Sequence, residues 1–297
     1  MATSTPLPSF TNTVVQAMRE LFPEALADSA WDNTGLLLDQ AQDARLTQKA
    51  EPTVLLTNDL SGPVVDEALQ AQASIIVSYH PVIFRGLKSL TNRDPMQASL
   101  LRLIAAGVAV YCPHTAVDAA HGGLNDWLCD ILVDGKVKTK STVLQPITRT
   151  LPEAHQGTGY GRSVALETPM PLKDLLRNLS VGLGNQRYVS IATKSGLEQQ
   201  ISSVAVCAGS GSDILQDSDA QLLVTGEMSH HAALRHVHLG QTVVTVFHSN
   251  SERQYLTQRL KPMLEKKLEG ALGGQGFSVL VSTKDRDPFE TIDVTQL

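Results

Sequence analysis

His248 and Glu252 stand four residues apart in Phe-His-Ser-Asn-Ser-Glu, directly after the apolar run at 242–247. An imidazole and a carboxylate converging on one point are divalent-metal ligands by type. The i, i+4 spacing gives that convergence if both lie on one face of a helix. Thr-Val-Val-Thr-Val-Phe reads as a buried strand and the charged amphipathic stretch 251–268 as a helix. The pair then lies past the carboxyl end of a strand, where open α/β sheets tend to place their chemistry. The same spacing is also common on solvated helices, so the pair takes its meaning from its company.

Three further strand ends carry residues of the same types. His80 follows the apolar 74–77 run in Ser78-Tyr79-His80-Pro81-Val82-Ile83-Phe84, and Pro81 stops that strand from continuing. His114 and Asp118, again four apart, follow Ala109-Val110-Tyr111, with His121 nearby. Glu227, His230 and His231 follow the 221–224 run, with Ser229 placed as an N-cap. Each group alone is equally at home as a cap, a turn or a core edge. Four strand ends each delivering histidine with a carboxylate or hydroxyl is much harder to reach by chance. Asn33 and Asp59 lie at or near earlier strand ends. Gly209-Ser210-Gly211-Ser212 lacks the lysine of a phosphate-cradling P-loop and fits a tight turn.

The elements that position these residues alternate. An amphipathic helix at 10–22, capped by Ser9, precedes strands at 35–38 and 53–57, a helix from Gly62-Pro63 to about 73, and a strand at 74–78. A helix at 95–106, a strand at 108–112 and a helix at 123–132 follow. Strands separated by ten to fifteen helical residues argue for βαβ units and a largely parallel or mixed sheet. Residues 134–161, with Lys136, Lys138 and Lys140, lack periodicity and read as a boundary or exposed loop. Beyond it lie strands at 163–167, 188–192 and 204–207 and a helix at 171–181. The alternation then resumes with strands at 222–225 and 277–282 and a helix at 230–239. The expected organisation is two interlinked α/β domains: a discontinuous metal-site domain, 1–140 and 220–297, with a smaller α/β domain inserted at 141–219.

The 297 residues are 42% hydrophobic and 18% charged, as in a globular protein with a real core, and carry a net charge of −6. No basic run suits a general nucleic-acid surface, so direct nucleic-acid binding is not expected, and an anionic substrate needs a bound cation or a local arginine cluster. Cys112, Cys129 and Cys207 are far apart without a CxxC and read as buried free thiols of a reducing compartment. No apolar run reaches membrane-spanning length. The Ser/Thr/Pro-rich start has no signal h-region and makes a poor mitochondrial presequence, so cytoplasm, with nucleus or mitochondrion as alternatives, is the expected location.

Taken together, the segments resemble a known family. Trp31-Asp32-Asn33-Thr34-Gly35-Leu36, the Tyr79-His80-Pro81 and His114-to-Ala120 stretches, Cys207-Ala208-Gly209-Ser210-Gly211-Ser212, Thr225-Gly226-Glu227-Met228-Ser229-His230-His231, His248-Ser249-Asn250-Ser251-Glu252-Arg253 and Asp285-Arg286-Asp287-Pro288-Phe289 occur in that order. The set, spanning about 10–289, resembles the Nif-three-like family, also catalogued as type 2 GTP cyclohydrolase I homologues, in its eukaryotic form. The resemblance implies a two-domain α/β fold, a toroidal homo-oligomer, often a hexamer, and a two-metal site. Carried over by motif, His80, Asp118 and Glu252 would hold one metal, and His248 and Glu252 the second, with Glu252 bridging. Tyr79 stands where bacterial members have another imidazole, and a phenol is a poorer ligand at neutral pH. His114 would compensate or orient a ligand or water.

Mixed His/carboxylate donors suit up to two Zn, Mn or Fe ions per chain. Such a pair supplies hydroxide near neutral pH for hydrolysis of phosphoesters, amides or purine-ring C–N bonds. Glu252, His114 and Tyr79 are then the catalytic candidates; Asn33, Asp59, Glu227, His230 and His231 are candidates for substrate contact or support. A hydrolase of a nucleotide-like or phosphorylated small molecule is the first reading, with GTP cyclohydrolase-type activity as its purine version. The alternative is a non-enzymatic protein that binds a transcriptional co-regulator, as the family's other name implies.

Overall fold

The computed structural model describes residues 9–39, 51–134 and 140–296; the first eight residues, and Lys136 and Lys138 of the expected boundary, lie outside the described residues. In chain order the strands are β1 (Gly35–Leu38), β2 (Thr53–Thr57), β3 (Ile75–Ser78), β4 (Ala109–Cys112), β5 (Lys140–Pro146), β6 (Gly159–Pro171), β7 (Ser190–Ala192), β8 (Gln200–Cys207), β9 (Leu222–Thr225), β10 (Thr242–Thr245) and β11 (Ser278–Val281). The chain divides into two compact units, Met1–Val117 with Leu256–Asp285 and Asp118–Tyr255 with Arg286–Leu297.

The first unit holds a sheet of order β1-β4-β3-β2-β11. β11, β2, β3 and β4 run parallel and only β1 is antiparallel. The inner strands β2, β3 and β4 are buried along their whole length, which is why their sequences are largely apolar runs rather than alternating ones, whereas the edge strand β11 is partly exposed. Leu55, Ile76 and Val110 pack with Val64, Val65 and Ala68 from the helix Gly62–Gln70 and with Leu103 from the helix Pro95–Ala105. Each of the Leu, Ile and Val side chains contributes roughly 1.5–3 kcal/mol by leaving water. Both helices carry proline in their first turn, Pro63 at the second position and Pro95 at the first, and Asp94 caps the second helix by accepting from the Gln97 amide at 2.9 Å. Registers Thr57↔Ser78 and Val77↔Tyr111 align the strand ends. Asn58-Asp59, Tyr79-His80 and Pro113-His114 therefore leave the sheet at one edge.

The second unit repeats the device. Its sheet has the order β5-β6-β8-β9-β10-β7, with β8, β9 and β10 parallel and in register Cys207↔Thr225↔Thr245. Gly209, Glu227 and His248 all follow those three ends. β5, β6 and β7 pair antiparallel, so both sheets are mixed, as expected for the fold class.

Three expectations change. The first unit stops at Val117 rather than at 140, and residues 220–255 do not join it, because β9 and β10 hydrogen-bond alongside β8; the return to the first unit runs from Leu256 to Asp285 only. Within the expected loop 134–161 the structure forms β5, whose apolar content is low because it lies at a sheet edge. The helix expected over 251–268 is broken into a 3-10 turn (Ser249–Ser251), a short α segment (Arg253–Tyr255), a π segment (Leu256–Leu260) and the helix Lys261–Leu272. Pro262 explains the widening: it cannot donate to the carbonyl of residue 258 and its ring crowds that group. No helix among the described residues is long and apolar enough to cross a membrane. The three cysteines are free and buried, as expected.

Candidate functional site

Asp59 lies after β2 and His80 after β3, and the register between those strands makes them meet: Asp59 Oδ1 is 2.9 Å from His80 Nδ1. A carboxylate only accepts, so the ring donates Nδ1–H and keeps its Nε2 lone pair for a metal. His114, after β4, is held the same way, its Nδ1 2.6 Å from Asp32 Oδ1. Burial pushes the Asp32 carboxyl up; hydrogen bonds and the charge of His114, with bonds from Thr115 and the Asn33 amide, outweigh it and leave the group below its ordinary range. Tyr79 is buried, with its ring 5.0 Å from that of His80 and 5.5 Å from that of His114; the Trp31 ring meets His114 edge-on at 5.6 Å. Asn33 donates to the Ile83 carbonyl, bracing the segment that follows His80.

In the second unit His248 lies between two carboxylates. Its Nδ1 is 2.8 Å from Glu227 Oε1 and its Nε2 3.4 Å from Glu252 Oε1. Glu227 also accepts from the Ser210 hydroxyl; that bond and the one from His248 hold its carboxyl below the ordinary value against a smaller effect of burial. Glu252 is 1% exposed, where a carboxylate needs compensating charge. The two residues still converge, but through the 3-10 turn instead of a helix face. Phe247, just before His248, has φ +68°, a left-handed conformation that a bulky residue adopts only under constraint.

The loop after β8 closes the other side of this pair. A β-carbon on Gly209 would lie 2.8 Å from Glu252 Oε1 and 3.1 Å from His248 Nε2, so only glycine leaves the two donors their room. Gly209 is held by its amide donating to Ser251 Oγ at 2.8 Å and by its carbonyl accepting from Thr225 Oγ1 and the Glu227 amide. Asp118 is tied to the same loop through Asn125, whose side chain donates to the Asp118 carbonyl at 3.0 Å and accepts from the Ala208 amide at 2.9 Å. Burial pushes the Cys207 thiol up, and the Asp118 and Glu252 carboxylates push it the same way. His230 and His231 are exposed and perpendicular to each other at 5.4 Å, at the start of the helix His230–His238.

The sequence reading missed Asp32, Asn125, Gly209 as a wall of the site, and Arg162. Arg162 is 2% exposed and donates to Asp126 and to the carbonyls of Ala119, Ala120, Gly159 and Gly161, clamping the turn that follows Asp118. In sequence it stands just before the strand expected at 163–167, and it falls inside a strand only because β6 starts earlier, at Gly159.

The donor chemistry fits a divalent metal. His248 presents Nε2 beside a buried carboxylate, its far nitrogen fixed by Glu227, and His80 presents Nε2 with its far nitrogen fixed by Asp59. By donor type, His80 in the first unit and His248 and Glu252 in the second are each residues able to ligate a metal ion.

Known proteins resemble this chain in fold and in sequence. A Bacillus cereus protein related to NIF3 has the same fold, with TM-score 0.79 and 20% identity, covering 97% of this chain and 100% of that one. Reduced HcgD from Methanocaldococcus jannaschii aligns with TM-score 0.68 and 17% identity over 91% of this chain and 96% of its own. At such identities these likenesses concern fold alone. In sequence, the chain is 42% identical over 280 residues to Protein NIF3 homolog of Schizosaccharomyces pombe, covering 93% of this chain and 96% of the relative. It is 39% identical over 283 residues to NGG1-interacting factor 3 of Saccharomyces cerevisiae, covering 93% and 94%. The model of one family, Duf34/NIF3 (NGG1p interacting factor 3), matches residues 11–288. With nearly its whole length matched, the chain belongs to the NIF3 family.

Proposed function

We propose that this chain is a divalent-metal-dependent hydrolase of a nucleotide-like or phosphorylated small molecule. The carrying observation is the buried Glu252 carboxylate beside His248 Nε2, with Glu227 on the opposite nitrogen and a glycine facing both. His248 and Glu252, with His80 and Asp118, are the residues that would hold the metal, Glu252 being shared if two ions bind. Zn, Mn and Fe all suit the donors. A metal held there would polarise a substrate oxygen and lower the pKa of water. Glu227, Asp59 and Asp32 each fix the orientation of one imidazole, which is the support a ligand or proton-transfer histidine needs. His114 and Tyr79 are the protein groups proposed for proton transfer or substrate contact beside His80, and His230 and His231 for contact further out. A homo-oligomer, hexameric in the form the resemblance implies, belongs to the same proposal.

The test is metal analysis of purified protein beside Glu252→Ala and His248→Ala variants, followed by a screen of phosphoesters and nucleotides. Wild type should bind metal that both variants lose, and turnover should depend on both residues. Equal metal content in all three, with no residue-dependent turnover, would sink the hydrolase reading. The name of the yeast relative favours a second reading, a protein partner; binding that survives both substitutions would support it.

A further inference from the structure

Beside His80 and His114, two large aromatic side chains stand in water. Trp31 is 51% and Phe84 48% exposed, and their rings lie 5.9 Å apart at 29°, in stacked order. Neither is loose at its base. Trp31 Nε1 donates to Asp28 at 3.0 Å and the ring rests on the edge of His114; the residue before Phe84 accepts from Asn33. Residues 79–94, from the end of β3 to the helix Pro95–Ala105, form neither helix nor strand. Long irregular segments in compact units generally serve binding. This one presents exposed Arg85, Lys88 and Arg93 against a single acid, Asp94, which is occupied as a helix cap. In a chain of net charge −6 that is a local cationic stretch adjoining an aromatic face.

We propose that Trp31 and Phe84 form a stacking platform for the base of a nucleotide, with Arg85, Lys88 and Arg93 holding its phosphate. A flat heteroaromatic ring replaces water on the exposed aromatic faces, and stacking tolerates any base. The cations supply the charge complement that composition alone said an anionic substrate requires. The proposal rests on reading the His80 edge as part of a substrate site and names the substrate class as a nucleotide.

The two tryptophans make the test direct, because Trp127 is buried and Trp31 is not. GMP and AMP are titrated against tryptophan fluorescence, with ribose 5-phosphate and inorganic phosphate as probes without a ring. Both nucleotides should quench the emission and the ringless probes should not. By calorimetry, Phe84→Ala and Trp31→Ala should weaken GMP binding about tenfold, and Trp31→Phe should largely restore it. Arg85→Ala/Lys88→Ala, at exposed positions that leave the fold intact, should weaken GMP and flatten its salt dependence. GMP affinity unchanged in the aromatic and cationic variants would overturn the platform. So would variants that change the oligomeric state and leave GMP affinity alone, since the rings would then be a subunit contact. His248→Ala separates the two proposals: GMP bound with metal lost supports the platform, whereas metal bound by wild type with no GMP binding overturns it and leaves the metal reading standing.

Discussion

Gly209→Ala isolates what the loop after β8 does. At φ +60° an alanine meets its own backbone, costing roughly 1–2 kcal/mol. The new methyl also falls 2.8 Å from Glu252 Oε1 and 3.1 Å from His248 Nε2. Those atoms are far ends of side chains, so they swing away at small cost and the donors separate. Stability should fall only by the backbone term, while metal affinity drops about 10–100-fold, as when the support of a ligand is removed. Gly196→Ala is the control: φ is +72° and nothing lies within 4 Å of the added methyl. Gly226→Ala is the opposite control, its methyl meeting the Gly209 carbonyl at 2.7 Å and the His248 backbone at 2.9 Å, so it should lose stability outright. Urea denaturation and calorimetric zinc titration on the three variants provide the comparison. Gly209→Ala with unaltered zinc affinity would refute the reasoning, as would a stability loss matching that of Gly226→Ala.

Other consequences are simpler to check. Arg162→Met strips the clamp from the Ala119 and Ala120 carbonyls and removes the cation paired with Asp126, which keeps the Gly122 amide as a donor, and should destabilise by about 3–5 kcal/mol in urea unfolding. Asn125→Ala, which frees both the Asp118 carbonyl and the Ala208 amide, should cost about 1–3 kcal/mol and weaken metal binding as well. For Glu67, burial raises the carboxyl but hydrogen bonds from Ser282 and Thr283 outweigh it and hold it below its ordinary range. A depressed folded value gives stability present above the unfolded pKa and lost as pH falls through the folded one. Glu67→Gln should therefore be less stable at neutral pH and show a shallower acid decline; an identical acid profile would count against this. Burial pushes all three thiols up. A thiol reagent should modify none in the native protein and all three after denaturation.

Much of the site was legible because parallel strands announce themselves as apolar runs and register does the rest. His80, His114, Glu227 and His248 each follow such a run directly, so a reading of strand ends finds them. Asp59 emerges less clearly, since only the alignment of β2 with β3 shows that it meets His80. Asp32 was invisible as a partner because nothing local links it to a histidine 82 residues away. The division of the chain was misread for a related reason. Strand alternation in 222–247 looks the same whichever sheet receives it, and pairing with β8 is a long-range choice. The breaking of the 251–268 helix was legible in Pro262, which amphipathic periodicity masked.

His80, His114 and His248 each place a carboxylate against Nδ1, and this has a consequence for surrogate residues. The amide of asparagine reaches where Nδ1 sits, and that of glutamine reaches where Nε2 sits. His80→Asn keeps a donor for Asp59 and offers nothing outward, whereas His80→Gln keeps an outward donor atom and abandons Asp59. The pair splits one imidazole into its two jobs, being held and holding.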